Sequence, residues 1–78
     1  MQERSELVGT ASQDRDVPFG GATVYAVIYR DGRKRIEVWP YGQSLAPEDA
    51  MSAGLLDAFG NHELADLIRR AASILTAA

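Results

Sequence analysis

Residues 23–39 read TVYAVIYRDGRKRIEVW, two β-rich runs on either side of Arg30-Asp31-Gly32. Asp-Gly between such runs is a strong hairpin signal. Loop length then decides the faces, because a one-residue slip moves every side chain to the other side of the sheet. A two-residue loop at Asp31-Gly32 sets Arg30 opposite Arg33 and mixes polar with apolar groups on both faces. A three-residue loop, Arg30-Asp31-Gly32 with Gly32 in the left-handed region and a bulge, pairs Tyr29 with Arg33. It gathers Val24, Ala26, Ile28, Ile36 and Val38 on one face, with Lys34 at the margin. Tyr25, Val27, Tyr29, Arg33, Arg35, Glu37 and Trp39 share the other. The second register segregates more cleanly and is the expected one.

Downstream, the spacing predicts two short helices. Pro47 suits a first helical position, and Glu48 and Asp49 complement the positive helix end. Ala46 is a poor cap. Met51, Leu55, Ala58 and Phe59 recur at helical spacing, Gly54 costs about 1 kcal/mol against alanine, and Gly60 is placed to end the helix. Asn61 then caps a second helix from about His62 to Leu75. Its apolar stripe is Leu64, Leu67, Ile68, Ala71, Ile74 and Leu75. Asp66 and Arg70 stand four apart as a surface pair.

Upstream, Leu7 and Val8 can form a third strand along the hairpin's edge, which would otherwise expose an open ladder. Ser12 to Asp16 reads as a polar linker and Gly20-Gly21 as a flexible lead into the first hairpin strand. Residues 1–16 therefore stand between a short strand and a mobile segment. A two-stranded hairpin is marginal alone, so the helices must cover its apolar face. The expected fold is α+β: one domain over residues 1–78, an antiparallel hairpin packed against two short C-terminal helices.

Length and composition set the bounds. A chain of 78 residues buries roughly 60% of its unfolded surface, a small core. There is no cysteine, so neither a disulfide nor a thiolate zinc site adds stability, which fits a reducing compartment. No apolar run reaches the ~20 residues of a membrane span, and residues 1–16 lack the apolar stretch of a signal peptide. A cytoplasmic protein without membrane contact is expected. The net charge of -3 is unevenly spread. Residues 1–16 carry a net -2 and the hairpin from Arg30 to Glu37 a net +2. Between Glu48 and Asp66 there are five acids and no base, after which Arg69 and Arg70 return positive charge. The pattern suggests a dipolar molecule, or simply an unevenly charged solvated surface.

The inventory for chemistry is thin. His62 is the single histidine; with Asp66 and either Asp57 or Glu63 it could hold a metal, but a solvated histidine among acids explains it as well. Ser44, Ser52 and Ser73 have no nearby base other than His62. Glu48 and Asp49 are adjacent on a helix and do not face one pocket. Neither nucleotide-binding glycine pattern is present. No enzyme activity, cofactor or metal is expected.

Contact with another macromolecule is the remaining reading. Tyr25, Tyr29 and Trp39 among Arg33, Arg35 and Glu37 have the composition of an interface. Basic and aromatic groups together could bind nucleic acid, but an acidic molecule repels a polyanion, and direct nucleic-acid binding is not favoured. The acids Glu48, Asp49, Asp57, Glu63 and Asp66 could instead enter a cationic groove that receives nucleic acid. In size, acidity, lack of cysteine and plan, the Thr23–Trp39 hairpin and the acids from Glu48 to Asp66 resemble small phage-encoded anti-CRISPR proteins directed at type I surveillance complexes. These share no motif to carry over. The resemblance implies a stoichiometric inhibitor, acting in the cytoplasm of a bacterial host, that blocks target-DNA binding by a larger protein or ribonucleoprotein complex. Two other classes stay open: an antitoxin-like regulatory subunit, and an accessory protein whose aromatic face is buried in a homodimer.

Overall fold

The computed structural model describes residues 2–13, 16–50 and 61–77. Four strands form one antiparallel sheet in the order β1-β2-β3-β4: β1 Gln2–Thr10, β2 Thr23–Tyr29, β3 Lys34–Trp39 and β4 Gln43–Leu45. A short helix, α1 (Pro47–Ala50), and a long one, α2 (His62–Ala77), follow. The fold is α+β, a sheet covered on one face by helix. Residues 51–60, which hold most of the first expected helix and the candidate Asp57, lie outside the described residues. Pro47 does open α1, and the Ala46 carbonyl accepts from Asp49 and Ala50 at 3.1 Å each. Among the described residues no helix is long and apolar enough to cross a membrane.

The hairpin takes the three-residue loop. Tyr29 N–H donates to the Arg33 carbonyl at 2.9 Å, Gly32 N–H donates to the Tyr29 carbonyl at 3.0 Å, and Gly32 sits at φ +90°. An L-residue rarely adopts that angle; glycine does so without steric cost. Val24 then pairs with Val38 and Ala26 with Ile36, all four buried. Ile28, partly buried, packs against the same cluster.

Helix α2 lies on this face. Leu64, Leu67, Ile68, Ala71 and Leu75 are buried in one cluster with Val24, Ala26, Ile36 and Val38, and Ile74 packs at its border. Each fully buried aliphatic side chain contributes about 1.5–3 kcal/mol, so this contact dominates stability. The helix comes close to the sheet at Gly9, where an added Cβ would stand 2.6 Å from Leu67 Cδ2. Asn61 fixes the helix start. It is only 4% exposed; its Oδ1 accepts from Leu64 N–H at 3.1 Å, and its Nδ2 donates to the Pro18 carbonyl at 2.5 Å. The cap thus also ties the helix to the connection between β1 and β2. Asp66 takes its partner one position earlier than its spacing suggested, from Arg69 at 3.4 Å.

Within the N-terminal segment Gln2–Thr10 forms a strand, which extends well beyond Leu7-Val8. β1 pairs along β2 from Gln2 opposite Tyr29 to Thr10 opposite Thr23, with bulges between Gln2 and Arg4 and between Leu7 and Gly9. Beyond β1, Ser12 is bonded to the Glu63 carboxylate through its N–H (2.6 Å) and its Oγ (3.0 Å), so the start of the polar linker is held against α2. After the cis Trp39-Pro40 bond the chain turns through Gly42, at φ +69°, into β4.

Two expectations test these assignments. Ile36→Asp should abolish the thermal unfolding transition, because an unpaired buried carboxylate costs several kcal/mol, while Arg35→Asp on the opposite face should still unfold cooperatively. Equal tolerance of both in circular dichroism melts would refute the register. Asn61→Ala should lose about 1–3 kcal/mol through the missing cap and the orphaned Pro18 carbonyl. Asn61→Asp, which keeps the acceptor but lacks the donor, should fall between the two in chemical denaturation.

Candidate functional site

Helix α2 covers one face of the sheet, and the other face carries most of the side chains the sequence singled out. Residues directly opposite on antiparallel strands share a face. The open face therefore carries Ser5 and Leu7 from β1, Thr23, Tyr25, Val27 and Tyr29 from β2, Arg35, Glu37 and Trp39 from β3, and Ser44 from β4.

Half of this face is locked. Tyr29 Oη donates to Glu37 Oε2 at 2.5 Å. Tyr29 pairs with Arg33 and Glu37 with Tyr25, so the ring must lie along the sheet across the intervening Val27–Arg35 pair. That explains why Val27, on the uncovered face, is 0% exposed. The Arg33 guanidinium stacks on the Tyr29 ring, 5.0 Å from its centre, and its Nε donates to Asp31 Oδ2 at 2.7 Å. Arg35 leans the other way, to Ser44 Oγ (3.0 Å) and the Ser44 carbonyl (2.9 Å), clamping β4 to β3. The exposed ion pair itself stabilises little. Its role is geometric, since it holds Arg33 over the ring.

Two protonation equilibria follow from these contacts. The hydrogen bond to Glu37 raises the Tyr29 phenol above its ordinary value, helped by desolvation and by the Glu37 charge and opposed by Arg33 and Arg35. The Arg33 backbone N–H, with the guanidinium behind it, holds the Asp31 carboxyl below its ordinary value.

The other half of the face is available. Trp39 is 53% exposed and Leu7 59%, with Tyr25 half-buried between the two strands. Thr23, Tyr25, Glu37, Trp39 and Pro40 line an open groove of about 460 Å³ with Ser5 at its β1 side. Tyr25 and Trp39 give it aromatic walls, and Glu37 lines it beside them. Such a groove suits an extended side chain with an apolar stem and a positive end. Leu7 and Pro40 were not singled out by the sequence. Continuing the period-2 alternation of β2 onto its antiparallel neighbour would have placed Leu7 here.

The acidic surface is less one-sided than its spacing implied. Glu63 is engaged by Ser12, and Asp66 by Arg69. Arg70 lines the same cleft as Glu63 and Asp66, between β1 and α2. Glu48 lines a cleft with Arg33, Lys34 and Arg35, so folding brings acid beside the basic hairpin. Glu48 and Asp49 are exposed at the start of α1. Among the described residues no group of three or more histidine, aspartate or glutamate side chains is arranged to hold a metal, His62 included. Compared with known proteins, the chain matches no family model, no curated sequence and no solved structure.

The Tyr29–Glu37 bond is open to measurement. In a spectrophotometric titration the Tyr29 phenol should ionise above the ordinary tyrosine range, and Glu37→Ala should lower it. A raised phenol stabilises the folded state fully below the ordinary tyrosine pKa, and that contribution fades as pH climbs through the raised one. A titration unchanged by Glu37→Ala would mean the bond is absent in solution.

Proposed function

We propose that this chain is a non-catalytic protein-binding module and works as a stoichiometric inhibitor of the anti-CRISPR kind, blocking target-DNA binding by a type I surveillance complex. One observation carries the binding reading: a sheet face on which no described helix packs, which exposes Trp39 and Leu7 and holds a groove lined by Trp39, Tyr25 and Glu37. Large apolar side chains held out to solvent beside an ordered polar network are the make-up of an interface, in which aromatic anchors dominate and charge sets orientation. The rigid setting helps, because residues already fixed lose little entropy on binding.

The chemistry of the groove favours a basic partner surface. An aromatic wall and a carboxylate accept an arginine or lysine side chain, and the negative molecule is drawn to a cationic channel of the kind that receives nucleic acid. The partner in this reading is a larger protein or ribonucleoprotein complex. The exposed acids Glu48 and Asp49 add long-range attraction, while affinity comes from the open face.

The test is a target-DNA binding assay with a type I surveillance complex and increasing amounts of this protein. Blocking should be complete near one-to-one stoichiometry. Trp39→Ala and Tyr25→Ala should each weaken it by about 2 kcal/mol, some thirtyfold. Glu48→Lys with Asp49→Lys should chiefly slow association, more so at low salt. No blocking at any ratio would remove the anti-CRISPR assignment, and full blocking by both aromatic variants would remove the open face as the contact.

A further inference from the structure

The geometry points to a second copy of this chain as the partner of the outer edge of β1, the two copies joining antiparallel about a two-fold axis at Ser5 to make one continuous sheet. This inference does not rest on the inhibitor reading, since it uses the edge of the sheet and not the groove on its face.

The sheet has two unequal edges. β4 has three residues, and such short edge strands pair poorly with other chains. β1 has nine, and among the described residues it pairs on its inner side only. Which of its backbone groups turn outward follows from the hairpin. Tyr29 N–H bonds to the Arg33 carbonyl, so alternate β2 positions 29, 27, 25 and 23 bond toward β3. Ile28, Ala26 and Val24 therefore bond toward β1. Arg4 and Glu6, opposite Ile28 and Ala26, spend their backbone groups on β2. The N–H and C=O groups of Ser5 and Leu7 point away from the sheet.

The side chains then select the register. Between the two bulges, Arg4 to Leu7 is the regular part of β1. With the axis at Ser5, the two copies of Ser5 exchange both backbone hydrogen bonds. Arg4 then faces Glu6 of the second copy, and Glu6 faces its Arg4. These are the non-hydrogen-bonded positions of the ladder, where Cα atoms come to ~4.5 Å and side chains are closest. Moving the axis one residue toward Arg4 sets arginine against arginine. Moving it one residue toward Glu6 sets glutamate against glutamate. Charges on an edge ordinarily keep other strands away; here their order matches a second copy of this strand with the axis at Ser5 and opposes the two neighbouring registers. Both Arg4 and Glu6 are exposed. The axis is perpendicular to the sheet, so both open faces fall on the same side.

Sedimentation equilibrium of the full chain and two charge reversals test this. The unsubstituted protein should approach twice the 8.5 kDa protomer mass as concentration rises. Arg4→Glu and Glu6→Arg should each weaken association by roughly tenfold or more, because every symmetric pair becomes a like-charge pair. Mixed in equal amounts, the two variants should regain the doubled mass as a heterodimer, since glutamates at 4 and 6 on one chain then meet arginines on the other. That recovery also shows that both variants fold. A protomer mass at every concentration, a doubled mass unaffected by either reversal, or a mixture that stays monomeric would overturn the proposal.

Discussion

One backbone angle organises this molecule. Gly32 sits at φ +90° at the end of a three-residue turn, and the bulge it creates sets Tyr29 opposite Arg33. Every later pairing of β2 with β3 inherits that register. It brings Val24, Ala26, Ile36 and Val38 under the helix and leaves Tyr25, Glu37 and Trp39 outside. The same register determines which β2 amides face β1, and so which groups of the outer strand remain turned to solvent. Core, open face and outer edge are three results of a single turn.

The open face is ordered where it is not covered. Val27 would be an exposed valine on a bare sheet. Instead the Tyr29 ring lies across it, held at one end by Glu37 and on its face by Arg33, which Asp31 holds in turn. The turn residue Asp31 is thus connected through three contacts to the wall of the groove. This places the rigid half of the face beside the exposed half. Trp39, Tyr25 and Leu7 stand beside a network in which Tyr29, Arg33 and Arg35 already have partners, so little reorganisation of those groups accompanies contact.

The hairpin, its register and its two faces were legible because period-2 alternation and turn chemistry agree there. The long helix was legible for the same reason, with Asn61 and the stripe from Leu64 to Leu75 pointing to one answer. Other parts were not. β4 is three residues, Gln43 to Leu45, too short to show an alternation, and it exists because Gly42 turns the chain back onto β3. The extent of β1 is interrupted by bulges that break its pattern. Glu63 reads as a solvated helix-start acid, and nothing local reveals that Ser12, 51 residues earlier, binds it. The reach of Tyr29 to Glu37 depends on a side chain lying flat, which strand periodicity does not describe. Acidic spacing exaggerated the charge asymmetry, because folding sets Glu48 beside the basic hairpin and Asp66 beside Arg69.

Asn61 and Glu63 together have a consequence for how the molecule opens. Both lie at the start of α2, and both reach the β1–β2 connection, one at Pro18 and the other at Ser12. Detaching the connection at Ser12 or Pro18 breaks a contact to the first turn of the helix, and unwinding that turn releases both. Amide protons around Ser12 and Pro18 and those in the first turn of α2 are therefore expected to exchange with solvent through a shared opening, although some forty to fifty residues separate them in the chain. Two parts that usually fray first and separately, a surface connection and a helix terminus, are here tied together at Ser12 and Pro18.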